Sequence, residues 1–273
     1  MSTAVAESAD FSVLYRFEAP DPDTFTSSHG SEPDTRPVLG PDNKVYGMTS
    51  GGGANGNGVI YQFDLESHRY KVLHTFGSLD TKGDNEDGAV PGVALTRGPD
   101  DSFYGVASFG GANGNGTVFK ITTTGKFTVL HTFSALNGDL HNEDGANPLR
   151  TVIIGEDGKL YGTTRLGGEN TCRGSGFNTR GCGVAWTMDR RGHSFAVLHQ
   201  FTADEGHAAS LVQARDDLLY GSAVLASHLI AFRGSVAVGN PVPHEDIGGR
   251  LRSALQVQPN RQEWVECRWC RSL

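Results

Sequence analysis

Tyr161-Gly-Thr-Thr-Arg-Leu-Gly-Gly168 is one of four related stretches in this chain of 273 residues. The other copies are Tyr46-Gly-Met-Thr-Ser-Gly-Gly-Gly53, Tyr104-Gly-Val-Ala-Ser-Phe-Gly-Gly111 and the divergent Tyr220-Gly-Ser-Ala-Val-Leu-Ala-Ser227. Successive Tyr-Gly pairs are separated by 58, 57 and 59 residues. A fixed period of this size indicates a repeat architecture, in which each unit buries its apolar face against its neighbours.

Each unit can be divided into short strands, and the third repeat shows the division best. Its apolar and β-branched runs cover residues 149–154, 159–164, 183–188 and 195–201. Asp157-Gly158 between the first two runs is a hairpin signal, because both central residues of such a turn adopt positive φ. No window has a convincing helical period. The sequence therefore predicts an all-β fold of four-stranded units with almost no helix.

The outermost strand of each unit carries a Val-Leu-x-x-Phe pattern. It occurs in residues 72–76, 129–133 and 197–201, and an additional copy, Val13-Leu-Tyr-Arg-Phe17, precedes the first unit. The fourth unit contains apolar runs in residues 211–212, 218–220 and 229–232 but no such strand after them. We therefore predict a closed ring in which residues 11–17 join the last unit, since closure protects sheet edges.

The repeat pattern also resembles a known family. Leu-Tyr-Gly-Thr-Thr-x-x-Gly-Gly, Gly-Thr-Val-Phe-x-Ile, Val-Leu-His-x-Phe and Asp-Gly-x-x-Pro are similar to the bacterial GloVer (choice-of-anchor) repeat, over about residues 11–233. The strand order also resembles NHL-type blades. The resemblance implies a four-bladed β-propeller spanning residues 1–233, with units at about 37–76, 91–133, 148–201 and 208–232 plus 11–17. Residues 234–273 match no blade and are interpreted as a C-terminal extension of uncertain structure.

Composition excludes several classes of function. The formal net charge of −8 argues against a nucleic-acid partner, which requires a basic surface. No apolar run approaches the ~18 residues of a membrane span, and the N-terminus lacks the pattern of a signal peptide. We therefore expect a cytoplasmic protein with free thiols at its four cysteines, or an extracellular one if a leader has been removed.

Two sets of loops open on the same face of a propeller and are polar here. The loops from outer to next inner strand are acidic, and those between the second and third strands are rich in glycine. Their sequences are Asp84–Pro91, Asp139–Pro148, Asp204–His207 and His29–Pro37, and then Gly52–Gly58 and Gly110–Gly116. We expect this face to form a polar mouth over a narrow channel.

Features that recur in every unit are interpreted as structural. Asp87-Gly88 and Asp144-Gly145 are expected to form turns, and the Asn-Gly loops left-handed turns. The recurring histidines His74, His131 and His199 are expected to stabilise the blades rather than bind a ligand. The glycine pattern at residues 51–56 precedes a strand and not a helix, so dinucleotide binding is rejected.

Features present in one unit alone are better candidates for function. The third repeat inserts residues 169–182, and Arg165 replaces Ser50 and Ser108 of the sister repeats. We predict acid/base catalysis on a small organic molecule, because a histidine beside a carboxylate titrates near neutrality. The predicted catalytic residues are His141, His207, His29, Glu143, Glu205 and Glu32. The predicted substrate-binding residues are Arg165, His228, Phe109, Asn55 and Asn113.

Several points stay open at the level of sequence. No cofactor is predicted, although histidines and carboxylates of neighbouring blades are also compatible with a divalent metal ion. The absence of a nucleophile elbow favours isomerase, cyclase, lyase or hydrolase chemistry without a covalent intermediate. The alternative function is a non-catalytic propeller that binds a glycan, a peptide or a protein. The oligomeric state is not predicted.

Overall fold

Four consecutive antiparallel sheets, which we call blades 1 to 4, and two separate two-stranded sheets make up the described part of the computed structural model of the protein. It describes residues 11–172, 180–214, 218–224 and 228–233. The strands are β1 Ser27–Ser31, β2 Val38–Leu39, β3 Lys44–Thr49, β4 Gly51–Gly53, β5 Val59–Asp64, β6 Tyr70–Thr75, β7 Ala89–Pro91, β8 Thr96–Arg97, β9 Phe103–Phe109, β10 Thr117–Ile121, β11 Phe127–Thr132, β12 Ile153–Ile154, β13 Leu160–Thr163, β14 Thr171–Cys172, β15 Arg180–Gly181, β16 Val184–Met188, β17 Ala196–Gln200, β18 His207–Gln213, β19 Leu218–Val224 and β20 His228–Arg233.

The blades follow the chain from inner to outer strand. Blade 1 has the order β2-β3-β5-β6, blade 2 places β7 and β8 inside β9-β10-β11, and blade 3 has the order β12-β13-β16-β17. Blade 4 contains three strands, β18-β19-β20. The described residues contain no helix, which confirms the all-β prediction. No helix in these ranges has the length and apolar character needed to cross a membrane.

The apolar core lies between neighbouring blades. One cluster joins Tyr46, Ile60 and Phe76 of blade 1 to residues of blade 2 such as Phe103 and Phe119. A second cluster joins blade 2 to blade 3 around Trp186. Because both faces of a central strand are covered in this way, β9 and β16 are buried almost without alternation.

The tyrosine of each Tyr-Gly pair stabilises the inner hairpin of its own blade. Its hydroxyl donates a hydrogen bond to the aspartate four residues earlier. The pairs are Tyr46 with Asp42, Tyr104 with Asp100 and Tyr161 with Asp157, at 2.9, 3.0 and 2.7 Å. Burial, followed by this carboxylate, raises the pKa of Tyr46 and Tyr161 well above its ordinary value, so the phenol stays a donor.

The glycine of the pair permits a close approach between neighbouring strands. A Cβ atom on Gly47, Gly105 or Gly162 would overlap the aromatic ring opposite it on the third strand. Those rings belong to Tyr61, Phe119 and Trp186. The motif that sets the period of the sequence is therefore explained by blade construction and not by chemistry.

A repeated ring cluster holds adjacent blades together. The outer-strand histidine of one blade stacks on the first aromatic residue of the next outer strand. His74 on Phe127 and His131 on Phe195 both have ring centroids 3.8 Å apart. Each outer-strand histidine is also hydrogen-bonded to a carboxylate. The pairs are His74 with Asp87 at 2.8 Å, His131 with Asp144 at 2.9 Å and His199 with Glu205 at 3.1 Å.

The N-terminal segment reproduces this cluster on blade 1. Tyr15, which is the counterpart of His74 in the Val-Leu-x-x-Phe pattern, stacks on Tyr70 with ring centroids 4.2 Å apart and planes 8° apart. Phe17 meets Tyr70 edge-on at 5.7 Å, as Phe76 meets Phe127 at 5.8 Å. Residues 11–17 nevertheless form no strand, so the predicted pairing with the last blade is not confirmed.

The third-repeat insertion contains a disulfide bond. β14 and β15 pair in register, and Cys172 and Cys182 are bonded with their Cα atoms 4.9 Å apart. The expectation of free thiols is therefore wrong for this pair, because a hairpin brings together two cysteines that are ten residues apart in sequence. The pair Cys267 and Cys270, like the rest of 234–273, lies outside the described residues.

Candidate functional site

The polar mouth is built where the second strand of each blade ends. Ser50, Ser108 and Arg165 occupy this position in blades 1 to 3. Each lies against a turn that begins the inner part of a blade. The N–H of Ser50 donates to the carbonyl of Glu32 at 3.2 Å, and that of Arg165 to the carbonyl of Asn147 at 3.1 Å. We define the mouth as residues 29–37, 50–58, 84–93, 108–116, 139–149, 165 and 204–207.

A half-open pocket lies in this mouth between blades 1 and 2. It has a volume of about 140 Å³. Its walls include Asp34, Thr35, Ser50, Pro91, Ser108 and Leu149. None of the predicted site residues lines it, so the pocket and the predicted residues are two separate parts of the same mouth.

His207 lies beside Arg165 at the border of blades 3 and 4. Nδ1 of His207 is 3.1 Å from the carbonyl oxygen of Arg165, and with that acceptor it carries the proton. This tautomer leaves Nε2 with a lone pair, the form required of a general base. The Arg165 side chain is exposed, and it has no ion pair with any residue in the described part of the chain.

The loop next to these two residues is shorter than its counterparts in blades 1 and 2. In blades 1 and 2 the carboxylate that caps the outer strand lies ten residues beyond the backbone N–H it accepts. At the border of blades 3 and 4, Glu205 follows Thr202 by only three residues.

His141 lies on the outer part of the mouth, next to the disulfide-bonded hairpin. Its Nε2 is 3.1 Å from Oγ1 of Thr171 in β14. Glu143, two residues later, uses its backbone carbonyl to accept a hydrogen bond from Gln200 at 2.9 Å. The sequence did not single out Thr171, because its contact depends on the path of an insertion that has no counterpart in the other repeats.

His29 and Glu32 belong to the turn that leads into blade 1. His29 occupies the position of Asp87 and Asp144, one residue before a glycine with positive φ, and its carbonyl accepts a hydrogen bond from Tyr70 at 2.6 Å. Glu32 has φ 57°. Its Oε2 accepts a hydrogen bond from the Ser50 hydroxyl at 3.3 Å, which directs the carboxylate toward the mouth.

Glu205 has a structural environment. It forms the third His–carboxylate pair, and it also accepts a hydrogen bond from the backbone N–H of Thr202 at 2.9 Å. Burial raises the pKa of Glu205, but the charge of His199 and the hydrogen bonds outweigh burial and lower it below its ordinary value. Glu205 takes the place of Asp87 and Asp144, which favours a role in the fold.

Two of the predicted substrate-binding residues also support the blades. Asn55 donates to the carbonyl of Phe76 at 2.8 Å, and Asn113 donates to the carbonyl of Phe133 at 3.0 Å, in the same place in two repeats. Phe109 is 49% exposed. The side chain of His228, the first residue of β20, lies outside the described part of the structure.

The six predicted catalytic residues are spread around the mouth. Within the residues that the structure describes, no hydrogen bond joins any two of them. The same residues include no group of three histidines, cysteines or carboxylates that could hold a metal ion. Among the described residues of the predicted set, the imidazole of His207 contacts the backbone carbonyl of Arg165.

Comparison of sequences assigns the family. The model of the Gloeobacter/Verrucomicrobia repeat matches residues 6–142 and 85–228. The chain belongs to the Gloeobacter/Verrucomicrobia repeat family. This confirms the resemblance on which the propeller prediction rested. No curated protein matches this family member in sequence.

Solved structures similar to this repeat protein are enzymes and other proteins with low identity to it. A virginiamycin B lyase from Staphylococcus aureus has a TM-score of 0.44 at 14% identity, over 76% of this chain and 56% of that chain. A gluconolactonase from Xanthomonas campestris has a TM-score of 0.46 at 12% identity, over 79% and 64%. TolB from Acinetobacter baumannii has a TM-score of 0.40 at 17% identity, over 81% and 45%. The chain thus spans about half to two thirds of their length, and likenesses at this level carry no argument about activity.

Proposed function

We propose that the protein is an enzyme that acts on a small organic molecule at the mouth by acid/base catalysis. The contact between His207 Nδ1 and the Arg165 carbonyl, at 3.1 Å, carries this proposal. This contact places His207 beside Arg165. The sister repeats have other residues at both positions. His207 is the general base and Arg165 binds the anionic group or the negative charge that develops.

The proposed chemistry needs no covalent intermediate. With Nδ1 bound to a carbonyl, Nε2 of His207 accepts a proton from the substrate and later returns it, while the exposed guanidinium of Arg165 stabilises the anion formed. Proton transfer followed by isomerisation, ring closure, elimination or hydrolysis fits this pair. His141, His29, Glu143 and Glu32 line the outer mouth as further candidates for the second proton transfer.

A non-catalytic binding protein is the second candidate. The spread of the six predicted catalytic residues favours it, since no hydrogen bond joins two of them in the described ranges. Equivalent residues of different repeats also make the same contacts around the mouth, as Asn55 and Asn113 do. Such a protein binds a glycan, peptide or protein partner without altering it.

Native mass spectrometry of the protein exposed to a metabolite extract of its source distinguishes the two candidates. An enzyme returns a small molecule in altered form, and a binding protein releases it unchanged. For the enzyme, His207→Ala lowers kcat by about 100-fold or more, and Arg165→Ser, which installs the sister residue, raises KM and lowers kcat. His193→Ala is the matched control, because that side chain is 75% exposed. Full turnover by His207→Ala contradicts the proposed acid/base role.

We also propose that the propeller has four blades and that residues 11–17 supply the fourth strand of blade 4. The ring contacts of Tyr15 and Phe17 on Tyr70 support this, because an outer strand makes the same contacts with the following blade. By the register of β5 and β6, Val13 then opposes Ile230. Val13→Cys with Ile230→Cys should form a disulfide within one chain in a variant with Cys267 and Cys270 replaced by serine. A disulfide-linked dimer, or no bond, contradicts closure within the chain.

The disulfide bears on the location of the protein, and it argues against the expected cytoplasmic setting. We propose an oxidising compartment, since disulfide bonds persist there and are rare in the cytosol. Cys172 and Cys182 are 3% and 0% exposed. Alkylation of both thiols in protein taken directly from its source, without a reductant, would contradict this location.

A further inference from the structure

The turn that leads to His207 lacks the side-chain support of its counterparts. In blades 1 and 2 the residue after the outer-strand phenylalanine has a backbone carbonyl that accepts two asparagine amides. The donors are Asn57 and Asn85 for Gly77, at 2.6 and 3.1 Å, and Asn115 and Asn142 for Ser134, at 2.6 and 2.9 Å. In blade 3 the corresponding carbonyl belongs to Thr202, and Cys182 and Ala203 occupy the positions of the two asparagines.

The Thr202 carbonyl closes a tight backbone turn instead. It accepts hydrogen bonds from the N–H groups of Glu205 at 3.1 Å and Gly206 at 2.9 Å. Gly206 has φ 80°, and the next residue, His207, begins β18. The position of the His207 imidazole therefore follows from the position of this turn.

The disulfide bond of the third-repeat insertion packs on the turn. Sγ of Cys172 lies 3.7 Å from the carbonyl oxygen of Thr202. A disulfide sulfur carries no proton, so this contact is packing and not a hydrogen bond. Cys172 and Cys182 also form a small buried cluster with Ala185 of β16 and with Phe201, the residue before Thr202. The disulfide therefore contacts the turn at the carbonyl that asparagine amides support in the sister repeats.

The base of the insertion is attached to the outer strand of its own blade. The N–H of Glu169 donates to Oε1 of Gln200 at 3.1 Å, and the side chain of Asn170 donates to the Gln200 carbonyl at 3.3 Å. The sister repeats have Thr75 and Thr132 in place of Gln200. A threonine has no amide oxygen to accept the first of these bonds, so blade 3 carries a side chain suited to its insertion.

We propose that the disulfide bond between Cys172 and Cys182 is a positioning element for His207. It supports the turn at Thr202, and the turn in turn places Nδ1 of His207 3.1 Å from the Arg165 carbonyl. Both cysteines are buried, so they act through the turn and not on a substrate. The inference deepens the proposed function, on which it rests for the catalytic role of His207.

The experiment compares the whole chain with its Cys172→Ala/Cys182→Ala variant by NMR, at a pH where the His207 imidazole is neutral. In the wild type, Nδ1 should carry the proton and the two ring nitrogens should have well-separated ¹⁵N shifts. In the variant the two shifts should approach each other, because the turn no longer holds Nδ1 against the carbonyl and both tautomers are populated.

Hydrogen exchange of the turn provides a second readout with an internal control. Protection of the Gly206 N–H should fall at least about ten-fold in the cysteine variant. Gly88 is the counterpart of Gly206 in the loop before blade 2, and its N–H donates to Asn85 at 2.8 Å. Protection of Gly88 should change by less than about two-fold, because that loop does not contact the disulfide.

A second variant, Gln200→Thr, tests the same coupling with the disulfide intact. It installs the residue of the sister repeats and removes one anchor of the insertion, so it serves even if the cysteine variant does not fold. The ¹⁵N shifts of His207 should change in the same direction as in the cysteine variant. Protection of Gly206 should fall by about two- to five-fold.

Two results overturn the inference. One is unchanged His207 ring-nitrogen shifts in the cysteine variant, or in Gln200→Thr where the cysteine variant does not fold. The other is an equal loss of protection at Gly206 and Gly88, which reports general destabilisation.

These readouts need no turnover, so the two proposals fail separately. Full turnover by His207→Ala contradicts the enzyme, and the positioning of His207 stands if its ring-nitrogen shifts depend on the disulfide. Loss of turnover in His207→Ala with unchanged shifts in the cysteine variant does the reverse.

Discussion

The border between blades 2 and 3 and the border between the N-terminal segment and blade 1 share their ring contacts and differ in the polar residues beside them. At the first, His131 stacks on Phe195 and is paired with Asp144. At the second, Tyr15 stacks on Tyr70, and His29 stands where the carboxylate would be. Both borders contain the ring contacts, but the first also contains a His–carboxylate pair. The ring contacts therefore form without that pair.

This comparison separates two contributions to stability. Aromatic burial between blades is present at both borders, and it scales with the area removed from water. Among the borders that the structure describes, a half-buried, hydrogen-bonded carboxylate accompanies the rings where a complete outer strand precedes it. Mutations of the rings and of the carboxylate should therefore give effects of different size and different pH dependence.

The largest expected effect comes from the rings. Phe133 is fully buried between blades 2 and 3, and its counterpart Phe17 lies in a segment whose Val13 and Leu14 are about half exposed, at 51% and 52%. Phe133→Ala should lower the free energy of unfolding by about 3–5 kcal/mol, and Phe17→Ala by less than half as much. Urea denaturation measures both. Equal losses would mean that residues 11–17 are packed as firmly as a complete outer strand.

The carboxylate gives the next largest effect and a distinct pH dependence. Burial raises the pKa of Asp144, but hydrogen bonds from His131 and Ser134 outweigh it and hold this pKa below its ordinary value. A carboxylate with a lowered folded-state pKa stabilises the protein above its unfolded pKa, and this stability is lost as the pH falls through the folded pKa. Asp144→Asn should therefore cost about 1–3 kcal/mol near pH 7 and reduce the loss of stability below about pH 4.

Denaturation of wild type and Asp144→Asn from pH 7 to pH 2 checks this prediction. Asp139→Asn, in the same loop, is the control and should leave the acid limb of the stability curve unchanged. If the free energy of unfolding falls equally in Asp144→Asn and wild type as the pH drops below about 4, Asp144 does not contribute to acid unfolding.

The sequence predicted the blades because their determinants are local and repeated. The Tyr-Gly period placed β3, β9 and β13, and the Val-Leu-x-x-Phe pattern placed β6, β11 and β17. The innermost strand was less predictable: residues 149–154 contain only Ile153–Ile154 as strand. Residues 149–152 are apolar or β-branched apart from Arg150, yet they form no strand, so composition alone does not mark where the strand begins.

The site was less accessible from sequence than the fold. The separation between the histidine and its carboxylate is 13 residues in blades 1 and 2 but 6 in blade 3, so the pair cannot be recognised by spacing. Glu205, which the sequence predicts as catalytic, is the carboxylate of this third pair. The pocket that contains Ser50 and Ser108 was missed because residues shared by repeats are interpreted as structural, although a shared position can still face a cavity.

The smallest expected effect is a gain at the border of the N-terminal segment and blade 1. In the other acidic loops an asparagine three residues before the positive-φ glycine binds backbone on both sides. Asn85 Oδ1 accepts from the N–H groups of Gly88 at 2.8 Å and Gly111 at 2.7 Å, and Asn142 makes the equivalent bonds. Ser27 takes this position before Gly30, and its hydroxyl is buried without a hydrogen-bond partner in the described structure.

Ser27→Asn should therefore raise the free energy of unfolding by about 1 kcal/mol, the usual net value of an added hydrogen bond. For a chain of this length the melting temperature rises by about 2–4 °C. Asn142→Ser, the reverse exchange in blade 3, should lower it by at least as much, because Gly145 and Gly168 then lose an acceptor. If both substitutions lower the melting temperature, the turn into blade 1 differs in backbone path from the other two. The N-terminal border would then resemble the others in its rings alone.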